Sequence, residues 1–244
     1  MTKEAKYLII GGGMAADAAV KGIRDIDEDG SIIIVGQDSD PPYTRPWLSK
    51  DLWKEKPLEK VFKKTAVKQA DVITNRTITA LDARAKTATD DQGETYQAER
   101  VLIATGASPK PFPVGGDLVI NFRQLNDYRR LHELAEKGKR FAVIGSGFIG
   151  SELAASLRMN KKQVDWFLTG DAMGSSMFPA GLADSLTVYF LEKGVDVHTR
   201  TKVSGIEESG AKIKVTYEAS DGASNDIEVD GVVGGRQRRE PGTG

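Results

Sequence analysis

Two short strings, GGGMAA at Gly11–Ala16 and GSGFIG at Gly145–Gly150, each stand between an apolar run and an amphipathic one. YLII (Tyr7–Ile10) precedes the first and FAVI (Phe141–Ile144) the second. Few folds accept a strand that ends in G-x-G-x-x-G/A and opens a helix. The first glycine permits a tight turn, the second lets a diphosphate approach the backbone, and the third small residue keeps helix and strand close. Gly11, Gly13 and Ala16 fill these positions in the first string, and Gly145, Gly147 and Gly150 in the second. Free N–H groups and the positive end of the helix dipole would then face a phosphate.

The order strand, glycine turn, helix, strand therefore occurs twice. In the first copy the spacing predicts a strand at Tyr7–Ile10, a helix at about Met14–Asp27 and a strand at Ile32–Val35. Ala15, Ala18, Ala19, Gly22, Ile23 and Ile26 would form the buried face of that helix. A loop rich in proline and aromatics follows at Asp40–Trp53. Short alternating strands at Thr77–Leu81, Lys86–Thr89 and Thr95–Ala98, around a DQG turn, read as an antiparallel meander. A separate apolar strand is expected at Val101–Ala104, and a helix at Gln124–Lys137.

The second copy reads as strand Phe141–Ile144, helix Phe148–Met159 and strand Val164–Leu168. A helix at Leu182–Glu192 and strands at Val195–His198, Val203–Glu207, Lys212–Tyr217 and Ile227–Val233 complete the expected order. The fold class is α/β, with two Rossmann-like units and an antiparallel β-meander insert. Short crossovers of this kind imply parallel strands.

Composition narrows the chemistry. With 34 Lys plus Arg against 35 Asp plus Glu, no field gathers nucleic acid or anionic lipid. The absence of cysteine removes disulfides, thiolate nucleophiles, iron–sulfur clusters and zinc–thiolate sites together. His132 and His198 lie far apart and make no HExxH pair, so no metal site is expected. No segment approaches the roughly 18 apolar residues of a membrane helix, and the start lacks a secretory h-region, so the expectation is a soluble, cytoplasmic protein. A bound cofactor, or carboxylates, hydroxyls and lysines, must carry any reaction.

A ribose-binding acid belongs about 20 residues beyond such a turn, at the end of the second strand. Asp38 is the candidate in the first copy and Asp171 in the second, each with the plainer reading of a solvated loop acid. No Arg or Lys lies between Val164 and Ala180 to clamp a 2′-phosphate, which leans towards NAD(H) over NADP(H).

The loop PPYTRPWLSKDLW (Pro41–Trp53), the two turns, ATG at Ala104–Gly106 and FRQLND at Phe122–Asp127 resemble the FAD-dependent pyridine nucleotide-disulfide oxidoreductase superfamily. Within it the chain looks most like the branch of apoptosis-inducing factor and the rubredoxin and ferredoxin reductases, which carries a Y-x-R-P-x-L-S-K loop. The resemblance implies an FAD-binding domain over 1–112 and an NAD(P)-binding domain over 113–235. Arg45 and Lys50 match loop residues at the flavin end, and Arg123 matches an arginine contacting FAD. Ala104, Thr105 and Gly106 match the ATG segment of the FAD site. Phe148 and Glu152 match residues between nicotinamide and isoalloxazine. Plainer readings are a solvated lysine for Lys50, a helix N-terminal acid for Glu152 and a packing aromatic for Phe148. Trp47 and Trp53 read as loop anchors.

The implied reaction is hydride transfer from nicotinamide to flavin. Electrons then pass to a ferredoxin- or rubredoxin-like carrier, a quinone or oxygen, since no cysteine is present for disulfide chemistry. Members of the superfamily return to the FAD domain after the NAD domain and add an interface domain. Here Ile227–Gly235 resembles the last NAD-domain strand and RQRREPGTG only loosely the following turn. The expectation is a C-terminally truncated member whose tail, residues 236–244, is solvated and disordered. The alternative is a nucleotide-binding scaffold or interaction protein that has lost turnover. The sequence leaves the oligomeric state open.

Overall fold

The computed structural model describes residues 2–235. The tail with Arg236, Arg238 and Arg239, expected to be disordered, lies outside them. Two compact units emerge. One takes the chain up to Arg45 together with Lys56–Gly106, and the other takes Pro46–Glu55 and the chain from Ala107 onwards. The sequence reading placed Pro46–Glu55 inside the first domain, whereas its contacts count it with the second unit.

The first unit contains β1 (Thr2–Ile10), α1 (Met14–Arg24), β2 (Ile32–Val35), β3 (Ala70–Ile73), β4 (Ile78–Asp82), β5 (Thr87–Asp90) and β6 (Thr95–Ile103). They form one sheet in the order β3-β2-β1-β6-β5-β4. The pairs β3–β2, β2–β1 and β1–β6 are parallel, and β6–β5 and β5–β4 antiparallel. The expected strands Thr95–Ala98 and Val101–Ala104 are one strand. Its register, Thr2 on Thr95 through Ile10 on Ile103, runs the length of β1, so the polar start of each strand is carried by the other's backbone. The meander thus extends the parallel sheet instead of forming an insert apart from it.

Side-chain alternation splits this core in two. Leu8, Ile10, Ile33, Val35, Ala88, Tyr96 and Ala98 fill one face. Ile9, Ile32, Ile34 and Ala70 fill the other, against Ala16 and Val20 of α1 with Ala19 and Ile23 alongside. The expected face of α1 is therefore corrected by one residue of rotation. Ala15, Ala18 and Gly22 are exposed, and Ile26, beyond the helix, is 85% exposed. Alanines on every side gave the periodicity little contrast. Burying Val20 fully, at about 1.5–3 kcal/mol, decides the orientation.

The second unit contains β7 (Val119–Asn121), α2 (Leu125–Lys137), β8 (Arg140–Ile144), α3 (Phe148–Met159), β9 (Gln163–Phe167), α4 (Ala180–Glu192), β10 (Asp196–His198), β11 (Lys202–Ser209), β12 (Lys212–Glu218), β13 (Ser224–Val229) and β14 (Gly231–Gly234). A parallel sheet has the order β10-β9-β8-β14-β7, and β11-β12-β13 form an antiparallel sheet. A cluster including Val119, Ala142, Phe167, Val215 and Val229 joins the two sheets. α2 opens with a reciprocal cap between Gln124 and Asp127.

The run Ile227–Val233, expected as one strand, breaks at Asp230. That carboxylate accepts the N–H groups of Lys139 (2.7 Å) and Arg140 (2.9 Å), which turns the chain from the antiparallel sheet into the parallel one.

Candidate functional site

In the first unit Gly11 adopts φ +114°, and a Cβ there would overlap the Ala104 carbonyl oxygen. Only glycine meets both demands. Gly11 N–H donates to Val35 O and Ala104 N–H to Ile10 O, each at 2.7 Å, which ties the turn to the ends of β2 and β6. Gly13 is the N-cap of α1 and supplies no side-chain cap, so the helix opens with N–H donors left for a ligand. A methyl on Gly13 would lie 3.9 Å from Arg45 Nη2, its nearest neighbour, so the space is open and flanked by a guanidinium. Ala16 is fully buried under the turn.

Asp38 lies three residues beyond β2. Its Oδ2 accepts the Tyr43 hydroxyl at 2.7 Å, and Arg45 lies over the Tyr43 ring, 5.9 Å from its centroid. One aromatic thus holds the Asp38 carboxylate and lies beneath the Arg45 guanidinium. Ala104, Thr105 and Gly106 close the unit, with Gly106 at φ +75°. Sequence reasoning missed two members of this group. Tyr43 was in view within PPY. Gly36 directly follows β2, and a Cβ on it would stand 2.9 Å from Gly12 N and Cα.

The second unit repeats the arrangement. Gly145 takes φ +117°, Gly147 caps α3 without a side chain, and a Cβ on Gly147 meets nothing within 4 Å. A Cβ on Gly150 would overlap the Gly145 carbonyl oxygen. The same oxygen accepts the indole Nε1–H of buried Trp166 at 2.8 Å, a brace the sequence did not announce.

At the opening of α3, Phe148 is 55% exposed and meets Phe178 edge-on, with centroids 6.0 Å apart. One turn later Glu152 pairs through Oε1 with Lys50 Nζ at 2.9 Å and accepts the Ser49 hydroxyl on Oε2 at 2.6 Å.

The segment carrying Ser49 and Lys50 is anchored on α2 and α3. Ser156 Oγ donates to Ser49 O at 2.7 Å, and Asn160 Nδ2 donates to Trp53 O at 3.1 Å. Trp53 donates to Leu48 O at 2.8 Å and packs edge-on against Tyr128. Ser49, at 2% exposure, is a hydroxyl that sequence reasoning passed over within the LSK string.

Arg123 lies between β7 and α2, where its N–H donates to Asp127 at 2.8 Å. Asp171, in the loop after β9, pairs with Arg200. The carbonyl of Ser146, within the second turn, accepts Gly174 N–H from that loop at 3.1 Å.

A buried, charged aspartate in this unit lies on β9, away from the turn. Burial pushes the Asp165 carboxyl up, but hydrogen bonds from His198 (3.1 Å) and Arg140 (2.7 and 3.0 Å) outweigh it and hold the carboxyl below the usual aspartate range. Among the described residues no helix is long and apolar enough to cross a membrane.

A family profile described as pyridine nucleotide-disulphide oxidoreductase matches residues 5–236. A Dictyostelium discoideum protein named apoptosis-inducing factor 1, mitochondrial, is 28% identical, over 95% of this chain and 48% of its own length. The 3-phenylpropionate/cinnamic acid dioxygenase ferredoxin–NAD(+) reductase component of Photorhabdus laumondii is 27% identical, over 93% of this chain and 59% of its own length. A crystal structure of the covalent putidaredoxin reductase–putidaredoxin complex superposes with a TM-score of 0.82 at 24% identity, over 95% of this chain and 58% of that one. At that identity the likeness is one of fold. The chain spans about half the length of the curated relatives it matches.

Proposed function

The chain belongs to the pyridine nucleotide-disulphide oxidoreductase family, and on that footing we propose that it works as an FAD-dependent NAD(P)H oxidoreductase delivering electrons to a small carrier of the ferredoxin or rubredoxin type. The doubled helix opening carries this reading. Two turns each combine a positive-φ glycine, Gly11 or Gly145, with an open one, Gly13 or Gly147. One such cradle suits one dinucleotide, and two suit a donor and a bound redox group. FAD, when bound, accepts hydride and releases electrons, chemistry that no side chain of this chain performs.

In this reading the amides opening α1 and the Arg45 guanidinium hold the FAD diphosphate, and Asp38 takes the adenosine ribose. Ala104, Thr105, Gly106 and Arg123 join the FAD site on the strength of the sequence resemblance. The amides opening α3 hold the NAD(P)H diphosphate, Asp171 takes its ribose, and NADH is the favoured donor. Phe148 shields the reacting end of the nicotinamide from water. Glu152, held by Ser49, fixes the Lys50 ammonium, which offsets negative charge as electrons arrive. The ferredoxin reductase among the relatives supports a protein acceptor. The absence of a spanning helix among the described residues fits a cytoplasmic setting.

Titrating the purified full chain with FAD tests the proposal. Flavin should become protein-bound, and NADH should bleach its visible band unless an acceptor is added. A chain that takes up neither FAD nor NADH overturns the reading. Uptake of both without bleaching favours a scaffold that has lost turnover.

A further inference from the structure

The second halves of α3 and α4 leave a groove between them, away from either glycine turn. It holds about 410 Å3, within the range of about 300–1,000 Å3 usual for small-molecule sites. Met159, Tyr189 and Phe190 give it apolar walls. Phe190 is backed by the buried Trp166 ring, with centroids 4.8 Å apart, so the core fixes this wall. Met159 and Tyr189 stay 64% and 54% exposed, so the chain itself does not fill the space between them. Three cations line the same groove and no acid does: Arg158 in the last turn of α3, Lys161 just beyond it and Lys193 after α4. Among the described residues none of the three forms an ion pair. Arg158 Nε donates to Lys193 O at 2.7 Å, which leaves the two Nη groups for a ligand. The guanidinium lies against Gly194, at φ +80°, where a Cβ would come within 2.7 Å of Nη2. A side chain at that position would push the guanidinium away, so the glycine keeps its place open. Lys193 Nζ lies 5.2 Å from the centroid of the Tyr189 ring, at the same wall.

We infer that this groove is a second small-molecule site, one that binds an aromatic carboxylate. The ligand's rings lie against Tyr189, Phe190 and the Met159 thioether, a set of walls that suits a flat apolar body. Its carboxylate meets the Arg158 fork end-on through Nη1 and Nη2, and Lys161 and Lys193 add positive charge around it. The Tyr189 hydroxyl is the one ordinary hydrogen-bond acceptor among the lining side chains. A nucleotide fits less well, because the donors of its base and ribose would be desolvated without partners. The inference is independent of the coenzyme reading. α3 has 12 residues and so runs about 18 Å, with the glycine turn at its first residue and Arg158 and Met159 at its last.

Calorimetric titration of the full chain with 2-naphthoate, its neutral amide and AMP tests the inference. 2-Naphthoate should bind, and should keep its affinity when NAD+ is present in excess. The amide and AMP should bind about tenfold more weakly or worse, the scale of one charge-assisted contact. Arg158→Met should weaken 2-naphthoate by the same factor, and Lys193→Gln by about threefold. Ala155→Leu puts a larger side chain into the groove while leaving all three cations in place, and should abolish binding. Circular dichroism confirms that each variant folds. Should Arg158→Met unfold the chain, Lys193→Gln and Ala155→Leu carry the test. No uptake of 2-naphthoate at millimolar concentration overturns the inference, as does equal affinity for the amide or tighter binding of AMP. Displacement by NAD+, or unchanged affinity in Ala155→Leu, places the ligand elsewhere and overturns it too.

Discussion

The two glycine turns share a motif but are crowded at opposite ends. In the first turn a neighbouring strand presses on the opening glycine, because the Ala104 carbonyl at the end of β6 occupies the space a Gly11 side chain would need. The nearest backbone to a Cβ on Gly145 is Gly235 O, at 3.6 Å. In the second turn the pressure falls on the last position. The Gly145 carbonyl, held by Trp166, leaves no room for a methyl at Gly150, whereas Ala16 carries its methyl fully buried in the first. The lesson is that whether G or A ends the motif depends on where the turn's own carbonyl is held.

Substitutions at these glycines should give the largest effects. Gly11→Ala and Gly150→Ala, each driving a methyl into backbone, should cost about 4 kcal/mol. Gly145→Ala, strained by φ alone, should cost about 2 kcal/mol. All three tryptophans, Trp47, Trp53 and Trp166, lie in the second unit, so denaturant curves followed by tryptophan emission report Gly145→Ala and Gly150→Ala there, and loss of far-ultraviolet circular dichroism amplitude reports Gly11→Ala in the first. Equal costs for Gly11→Ala and Gly145→Ala would break the comparison.

The buried acid of the second unit comes next. Asp165→Asn should cost about 3 kcal/mol, because the Arg140 guanidinium loses its bidentate partner. The carboxyl is depressed in the folded state, so its contribution is present above the ordinary aspartate value of about 3.9 and is lost as pH falls through the lower folded value. Stability measured across that acid window should fall less steeply in Asp165→Asn.

Trp166→Phe sharpens the contrast further. Losing the indole bond to Gly145 O should cost about 1.5 kcal/mol and weaken coenzyme binding at the second turn, leaving FAD uptake unchanged. Tyr43→Phe in the first unit should cost under about 1 kcal/mol and lower FAD affinity roughly threefold, as seen by flavin titration.

The site was legible wherever one residue type answers one backbone demand. Both turns and the start of α3 at Phe148 follow from strings within the chain, whereas the pairing of Glu152 with Lys50 joins segments far apart in sequence. The face of α1 was not legible, because alanines surround it and only the sheet selects Val20. Strand β3, just Ala70–Ile73, is too short to show a period, and β6 hides its continuity behind Glu99 and Arg100.

Order along the chain determined the repeated strand–turn–helix units, the positions that must be glycine and the absence of thiol chemistry, since these depend on local sterics and on composition. The folded arrangement decided which neighbour crowds each turn, that the Ser49–Lys50 segment anchors on α2 and α3, and that Arg200 meets Asp171. Those are contacts between residues far apart in sequence, and they arise when backbone pairing and burial bring distant segments together.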